Sequence, residues 1–257
     1  MASDPDIEPP ASSLQPPVPT ERKHPSLTER VIALLEVLLC SDYPTQFALT
    51  ATFAAFRFGP YTSQGHLSVP FVVTLSLADT ALLLGLIMAF LSAHRERARD
   101  VFLGPRRVSR EAQLGLLLMV VALAIGVGVL AAVQRFAPSV HTVEHNPLAD
   151  LIVRRRDAWL FALVVVVAGG VREEIQRAFV LHRFEMWLGG GTVGIVVGSV
   201  AFGAGHLLQG ADAAITTGLL GVFWGMVYLR RRSVVGPIVS HSGFNLLQLA
   251  QFLVLDQ

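Results

Sequence analysis

Glu173 and Glu174 stand side by side after the apolar run Phe161 to Ala168 and a Gly169-Gly170 pair, and Arg172 and Arg177 bracket them. Two adjacent carboxylates in such a setting cannot both face hydrocarbon, where a charge costs roughly 2.5 kcal/mol or more. On a helix Arg177 lies four positions from Glu173 and three from Glu174. One arginine can therefore neutralise one carboxylate, while Arg172 is expected to snorkel. The other glutamate is left without an assigned partner, and a desolvated carboxyl beside a second charge suits a general base or acid. The bland counterpart is a buried ion-pair network that only sets helix packing.

Two further motifs carry polar chemistry. Phe202-Gly203-Ala204-Gly205-His206 places an aromatic ring one helical turn before an imidazole, with glycines that allow close helix approach. His241-Ser242-Gly243-Phe244-Asn245 sets an imidazole and a carboxamide on one helical face, where both can donate to one atom. Taken singly, either is as readily a helix-to-helix hydrogen-bond contact as a site. Together with the glutamates they make an acid/base pair, an imidazole and a donor pair able to hold an oxyanion.

The elements that position these residues follow from composition. The chain has 257 residues, 53% apolar and 15% charged, with a mean hydropathy of +0.56, against roughly 45–50% and 25% in an average soluble domain. That balance excludes fibrous and disordered classes and points to a chain embedded in lipid. A net charge of +1 gives no reason to expect a nucleic-acid partner, and the single cysteine, Cys40, leaves no internal disulfide or cysteine metal cage. Residues 1-25 are rich in proline and acids and are expected to be a disordered tail. They lack a basic start followed by an apolar stretch, so they are expected to remain on the cytoplasmic side. Residues 26-257 are read as a single integral membrane domain.

Ser26-Leu27-Thr28-Glu29 has capping-box spacing and predicts a helix over about 27-40, too short to span and lying at the interface. A span near 45-58 follows it. Stronger apolar segments occupy 69-93, 114-133, about 160-182, 192-212, 213-229 and 234-255. The expected fold class is an all-α polytopic membrane helix bundle of six to eight transmembrane or membrane-embedded helices. Arginines at 95, 97, 99, 106, 107, 110, 183 and 230 to 232 fall on one side of this map, whereas Arg135 and Arg154 to Arg156 fall on the other. The bias predicts a cytoplasmic N-terminus. Asp79 is expected to pair within the bundle, Asp212 sits at a span edge, and Gly189 to Gly191 form a turn. Trp159, Trp187 and Tyr228 read as interfacial aromatics.

The ordered set Glu173-Glu174 before Arg177, Phe202-x-x-x-His206 and His241-x-x-x-Asn245, each on a separate apolar segment, resembles the CAAX prenyl protease and bacteriocin-processing (CPBP, or Abi) family of intramembrane glutamic endopeptidases. The resemblance covers about 160-250, within a family-like catalytic core at about 158-255. It implies an α-helical membrane peptidase that hydrolyses a membrane-associated protein or peptide with no cofactor. Glu173 and His206 would activate water, Glu174 would be the neighbouring glutamate, and His241 with Asn245 would hold the oxyanion. Arg177 and Phe202 would support them. The family pattern has three residues between the second glutamate and the arginine, but here only Ile175 and Gln176 intervene. Alignment on Arg177 would instead put Arg172 at the catalytic position and Glu173 at the second; the glutamate alignment is the one adopted.

Two other readings use the same residues. Two histidines and a glutamate are also a zinc set, although no His-Glu-x-x-His spacing occurs. A non-catalytic immunity factor, scaffold or proton-coupled carrier would use the charges as a relay.

Overall fold

The computed structural model describes residues 25–143, 151–152 and 155–255. Nearly all of the expected tail, 1–24, and the histidine at 145 lie outside these residues. The described chain is helical, with one isolated antiparallel bridge, Tyr61 to Leu67, in the 59–68 loop.

Helix α1 (Leu27–Leu39) begins as its sequence predicts: the Ser26 hydroxyl accepts from the Glu29 amide, and the Glu29 carboxylate accepts from the Ser26 amide. It bends by 47° into α2 (Tyr43–Ala55) across the Cys40–Asp42 elbow. Asp42 caps α2 at φ +81°, a left-handed backbone that an aspartate tolerates better than most residues. Helix α2 has 13 residues, about 20 Å at 1.5 Å per residue, too short to cross a bilayer alone. The expected span at 45-58 is thus only the second limb of a broken pair.

Helices α3 (Val69–Ala93) and α5 (Val108–Phe136) coincide with or contain the expected spans at 69-93 and 114-133, and the short α4 (Ala98–Phe102) lies between them. Helix α6 (Arg155–Val166) runs through a π-helical turn, Val167–Arg172, into α7 (Glu173–Trp187). Helices α8 (Gly191–Ala204), α9 (Ala211–Arg231) and α10 (Val235–Leu255) complete the bundle. Among the described residues, three helices are long and apolar enough to span a membrane (α3, α5 and α9), or four with the bent α1–α2 pair.

The expected all-α membrane bundle is what forms, with some of its expected segments divided between shorter elements. Glu173, Glu174 and their arginines interrupt the 160-182 run. Helix α8 stops at Ala204, so His206 sits in a turn before a 3-10 helix, Leu207–Gln209, and not within a span over 192-212. Exposed Leu116, Leu117 and Val120 on α5 and Val193, Val196, Val197 and Val200 on α8 give the bundle the apolar exterior that lipid requires.

Small residues permit the closest approaches. Helix α8 packs against α9 where a Cβ on Gly203 would stand 2.6 Å from the Ala214 carbonyl oxygen, so no larger residue fits without moving the helices apart. At one end of the bundle Arg183, fully buried, donates from Nε to Glu36 at 2.5 Å and from Nη1 to Glu96 at 2.6 Å. His94 and His182 donate to the same two carboxylates at 2.7 and 2.9 Å. This network ties α1, the turn after α3 and α7 together. Arg183 is therefore an internal strut and not the loop charge expected at 182-189, because α7 continues to Trp187. Tyr228 also departs from expectation: it is 2% exposed and its hydroxyl donates to the Val101 carbonyl at 3.0 Å.

Candidate active site

The glutamate pair opens α7, directly after the π turn. That turn presses on α10: a Cβ on Gly169 would lie 2.8 Å from Asn245 Nδ2, and one on Gly170 would collide with Ser242 Oγ. Only glycine lets the two helices meet where the carboxylates begin. The consecutive glutamates then diverge, as neighbours on a helix must.

Glu174 points into the bundle and is 2% exposed. Its Oε1 accepts from the Arg177 guanidinium one turn later and from His241 Nδ1 at 2.8 Å. A carboxylate can only accept here, so Nδ1 of His241 carries a proton and Nε2 is directed elsewhere. That Nε2 lies 3.8 Å from Glu173 Oε2. The His241 ring is stacked on Trp224, centroids 3.9 Å apart and planes 18° from parallel, and Trp224 donates from Nε1 to Ser240 at 3.1 Å. Arg177 in turn lies over the Phe202 ring at 4.6 Å and the Trp224 ring at 5.6 Å. Phe202 thus supports both Arg177 and the histidines, its ring being 5.0 Å from His206 and 6.1 Å from His241.

Glu173 takes the other direction. It lines a cavity of about 800 Å³ that also receives His206, His241 and Asn245. His206 Nδ1 donates to the Phe202 carbonyl at 2.9 Å, which fixes its tautomer and leaves Nε2 without a partner among the described residues. Asn245 donates one amide hydrogen to the Val165 carbonyl at 3.3 Å, and the carboxamide's second N–H remains for another acceptor. The cavity wall between these groups is largely apolar, with Val72, Leu130, Phe161, Val197 and Phe252 among its residues. Among the described residues, no three His, Cys, Asp or Glu side chains are grouped so as to hold a metal ion.

Two expectations about the arginines need correction. Arg172 does not snorkel; it is 6% exposed, and its guanidinium binds Asp79 Oδ2 at 2.8 Å, Asp42, and Glu173 Oε1 at 3.3 Å. Glu173 is accordingly not without a partner. The reason is tertiary: Asp79 on α3 and Asp42 at the α1–α2 elbow lie more than ninety positions from Arg172 in the chain, and nothing local announces their approach. Asp79 does pair within the bundle, as expected. Asp212, placed only at a span edge by the sequence, accepts from His141 at 2.7 Å and does not reach the cavity lining.

Sequence reasoning also missed Trp224. The available signal was its position four residues before Tyr228 on the inward face of α9.

Residues 155–247 match the family model described as type II CAAX prenyl endopeptidase Rce1-like. This stretch is similar to the CPBP family. The Rce1-like domain begins with α6 and ends just past Asn245, so it holds every motif residue named above. Helices α1 to α5 lie outside it, although the elbow residues Ser41, Asp42 and Tyr43 line the same cavity. No curated protein and no solved structure matches the chain. The apolar helices suit an integral membrane protein, and the stretch that matches a peptidase family model lies within its C-terminal half.

Proposed function

We propose that this protein is an intramembrane endopeptidase that cleaves a membrane-associated protein or peptide by glutamate-activated water. The observation that carries the reading is the convergence of Glu173, His206, His241 and Asn245 on one cavity from two helices and a turn. These side chains would otherwise leave four polar groups facing hydrocarbon.

In the proposed reaction, water held by Nε2 of His206 loses a proton to Glu173 and its oxygen attacks the scissile carbonyl carbon. The carbonyl oxygen becomes an oxyanion, which the second N–H of Asn245 can receive together with Nε2–H of His241 when that ring enters the reaction as an imidazolium, its charge balanced by Glu174. Collapse breaks the C–N bond, and the proton held by Glu173 passes to the leaving amine. One water is consumed, yielding a carboxylic acid and an amine, with no covalent enzyme intermediate. Glu174 keeps His241 oriented, as a carboxylate does for a histidine it accepts from. The apolar wall of the cavity suits a substrate that arrives from the bilayer, and a prenylated chain ending in a CAAX motif is the substrate class suggested by the family description.

Mass spectrometry of membrane peptides, including a prenylated CAAX peptide, incubated with wild-type protein and with Glu173→Gln tests this reading. Cleavage by the first and none by a stably inserted second is expected. Equal cleavage by both refutes it.

A further inference from the structure

The guanidinium of Arg172 is held at almost every corner. Nε donates to the Ala168 carbonyl at 3.3 Å, Nη1 to Asp79 at 2.8 Å and to Asp42, and Nη2 to Glu173 Oε1 at 3.3 Å. A planar fork fastened at Nε and Nη1 has no freedom left in Nη2. Glu173 therefore has one oxygen tied to a fixed donor, while its other oxygen, Oε2, faces His241 and the cavity.

We propose that Arg172 is a positioning residue for Glu173, and that Asp79 and Asp42, contributed by helices outside the Rce1-like domain, set the place of its guanidinium. The proposal rests on the reading of Glu173 as the base. A general base needs one oxygen aimed at the water within a few tenths of an ångström, and misplacement by about 1 Å can cost roughly 100-fold in rate. An uncompensated guanidinium beside that base would hold the carboxylate's electrons against the proton it must take. Two carboxylates on the far side of Arg172 offset that charge while they anchor it. Asp79 is 1% exposed, and its Oδ1 has no hydrogen-bond partner among the described residues. A small cavity of about 60 Å³, lined by Gln46, Ser76 and Asp79 among others, lies beside it and has room for water. The α1–α2 elbow is tethered at two further points, by Gln176 donating to the Cys40 carbonyl at 2.7 Å and by Tyr43 donating to the Ala201 carbonyl at 3.2 Å. Asp42 is thereby presented to Arg172 by a segment fixed against both α7 and α8.

The competing account is that Arg172 and Asp79 are a buried ion pair that matters only for folding. The double variant Arg172→Gln/Asp79→Asn separates the two, because it removes a buried cation together with its most deeply buried counter-ion. Full-length protein in detergent micelles, with a prenylated CAAX peptide as substrate, gives kcat, KM and Tm. The single variant Arg172→Gln is expected to lower both Tm and kcat. The double variant is expected to regain Tm while kcat stays about 10- to 100-fold below wild type with KM within roughly twofold. Arg172→Lys, which keeps the charge but cannot reach all three carboxylates, should also lose kcat more than KM. If the double variant recovers kcat along with Tm, Arg172 is purely structural and the proposal is overturned. Glu173→Gln assayed beside them distinguishes a different failure: cleavage by that variant would overturn the reading of Glu173 itself, and this proposal with it.

Discussion

Nδ1 of His241 and Oε1 of Glu174 lie 2.8 Å apart, joining the middle of α10 to the first turn of α7 across 67 positions of chain. The same oxygen receives Arg177. Glu174 is therefore the hub that connects a cation, an imidazole and, through the imidazole, the Trp224 ring. Glu173, one residue earlier, faces the cavity. Their substitutions should have different consequences.

Glu173→Gln is expected to abolish peptide cleavage and leave Tm nearly unchanged, because Arg172 keeps Asp79 and Asp42 as partners. Glu174→Gln should lower stability by about 3–5 kcal/mol, the cost of leaving a buried charge without its counter-ion, with activity falling as a consequence. Paired melting and cleavage assays check this, and full activity in both variants would be incompatible with glutamic catalysis.

Trp224 is 1% exposed and forms the floor on which His241 rests. Trp224→Ala should cost about 3–5 kcal/mol through the cavity left behind and should lower cleavage further than stability alone accounts for. Trp224→Phe, which keeps a ring under the imidazole but loses the N–H to Ser240, should insert normally and retain most activity. Measuring Tm and kcat for both variants is sufficient; an inactive but stable Trp224→Phe would show that the indole N–H matters more than the stack.

Glu96 lies in the turn after α3, beyond the membrane-spanning segments. Burial disfavours its charge, but hydrogen bonds from Arg183 and His182 outweigh that and hold its carboxyl below the ordinary glutamate range. A carboxyl held down in the folded state stabilises above its unfolded value, near 4.3. That stabilisation is lost as pH falls through the lower folded value. Wild-type Tm should therefore drop more steeply below about pH 4.3 than that of Glu96→Gln, and parallel curves would contradict the assignment.

For topology, we infer that the 94-110 loop and Arg230 to Arg232 face the cytoplasm, since exposed arginines concentrate there. Single cysteines at Ser109 and Arg230, in a Cys40→Ser background, should react with an impermeant reagent only after the cytoplasmic face is opened. Ser233, although in the same turn, is 1% exposed and would label poorly from either side.

The sequence alone was enough for the helical membrane class, the capping box that starts α1, the spans of α3 and α5, and the candidate motif residues. These are short-range properties: a run of about twenty apolar residues, or two polar groups four positions apart, has the same meaning wherever the chain later goes. It also made the pairing of Glu174 with Arg177 legible, because that contact is contained within one helical turn. Tertiary structure alone decided that α8 ends before His206, that Tyr228 is buried, and that Trp224 stacks on His241. It alone brought Asp42 and Asp79 onto Arg172, reversing the expectation that this arginine would reach for the interface. The reason is that a buried charge takes whichever counter-charge the packed helices bring within reach, and no local spacing records which distant helix that will be.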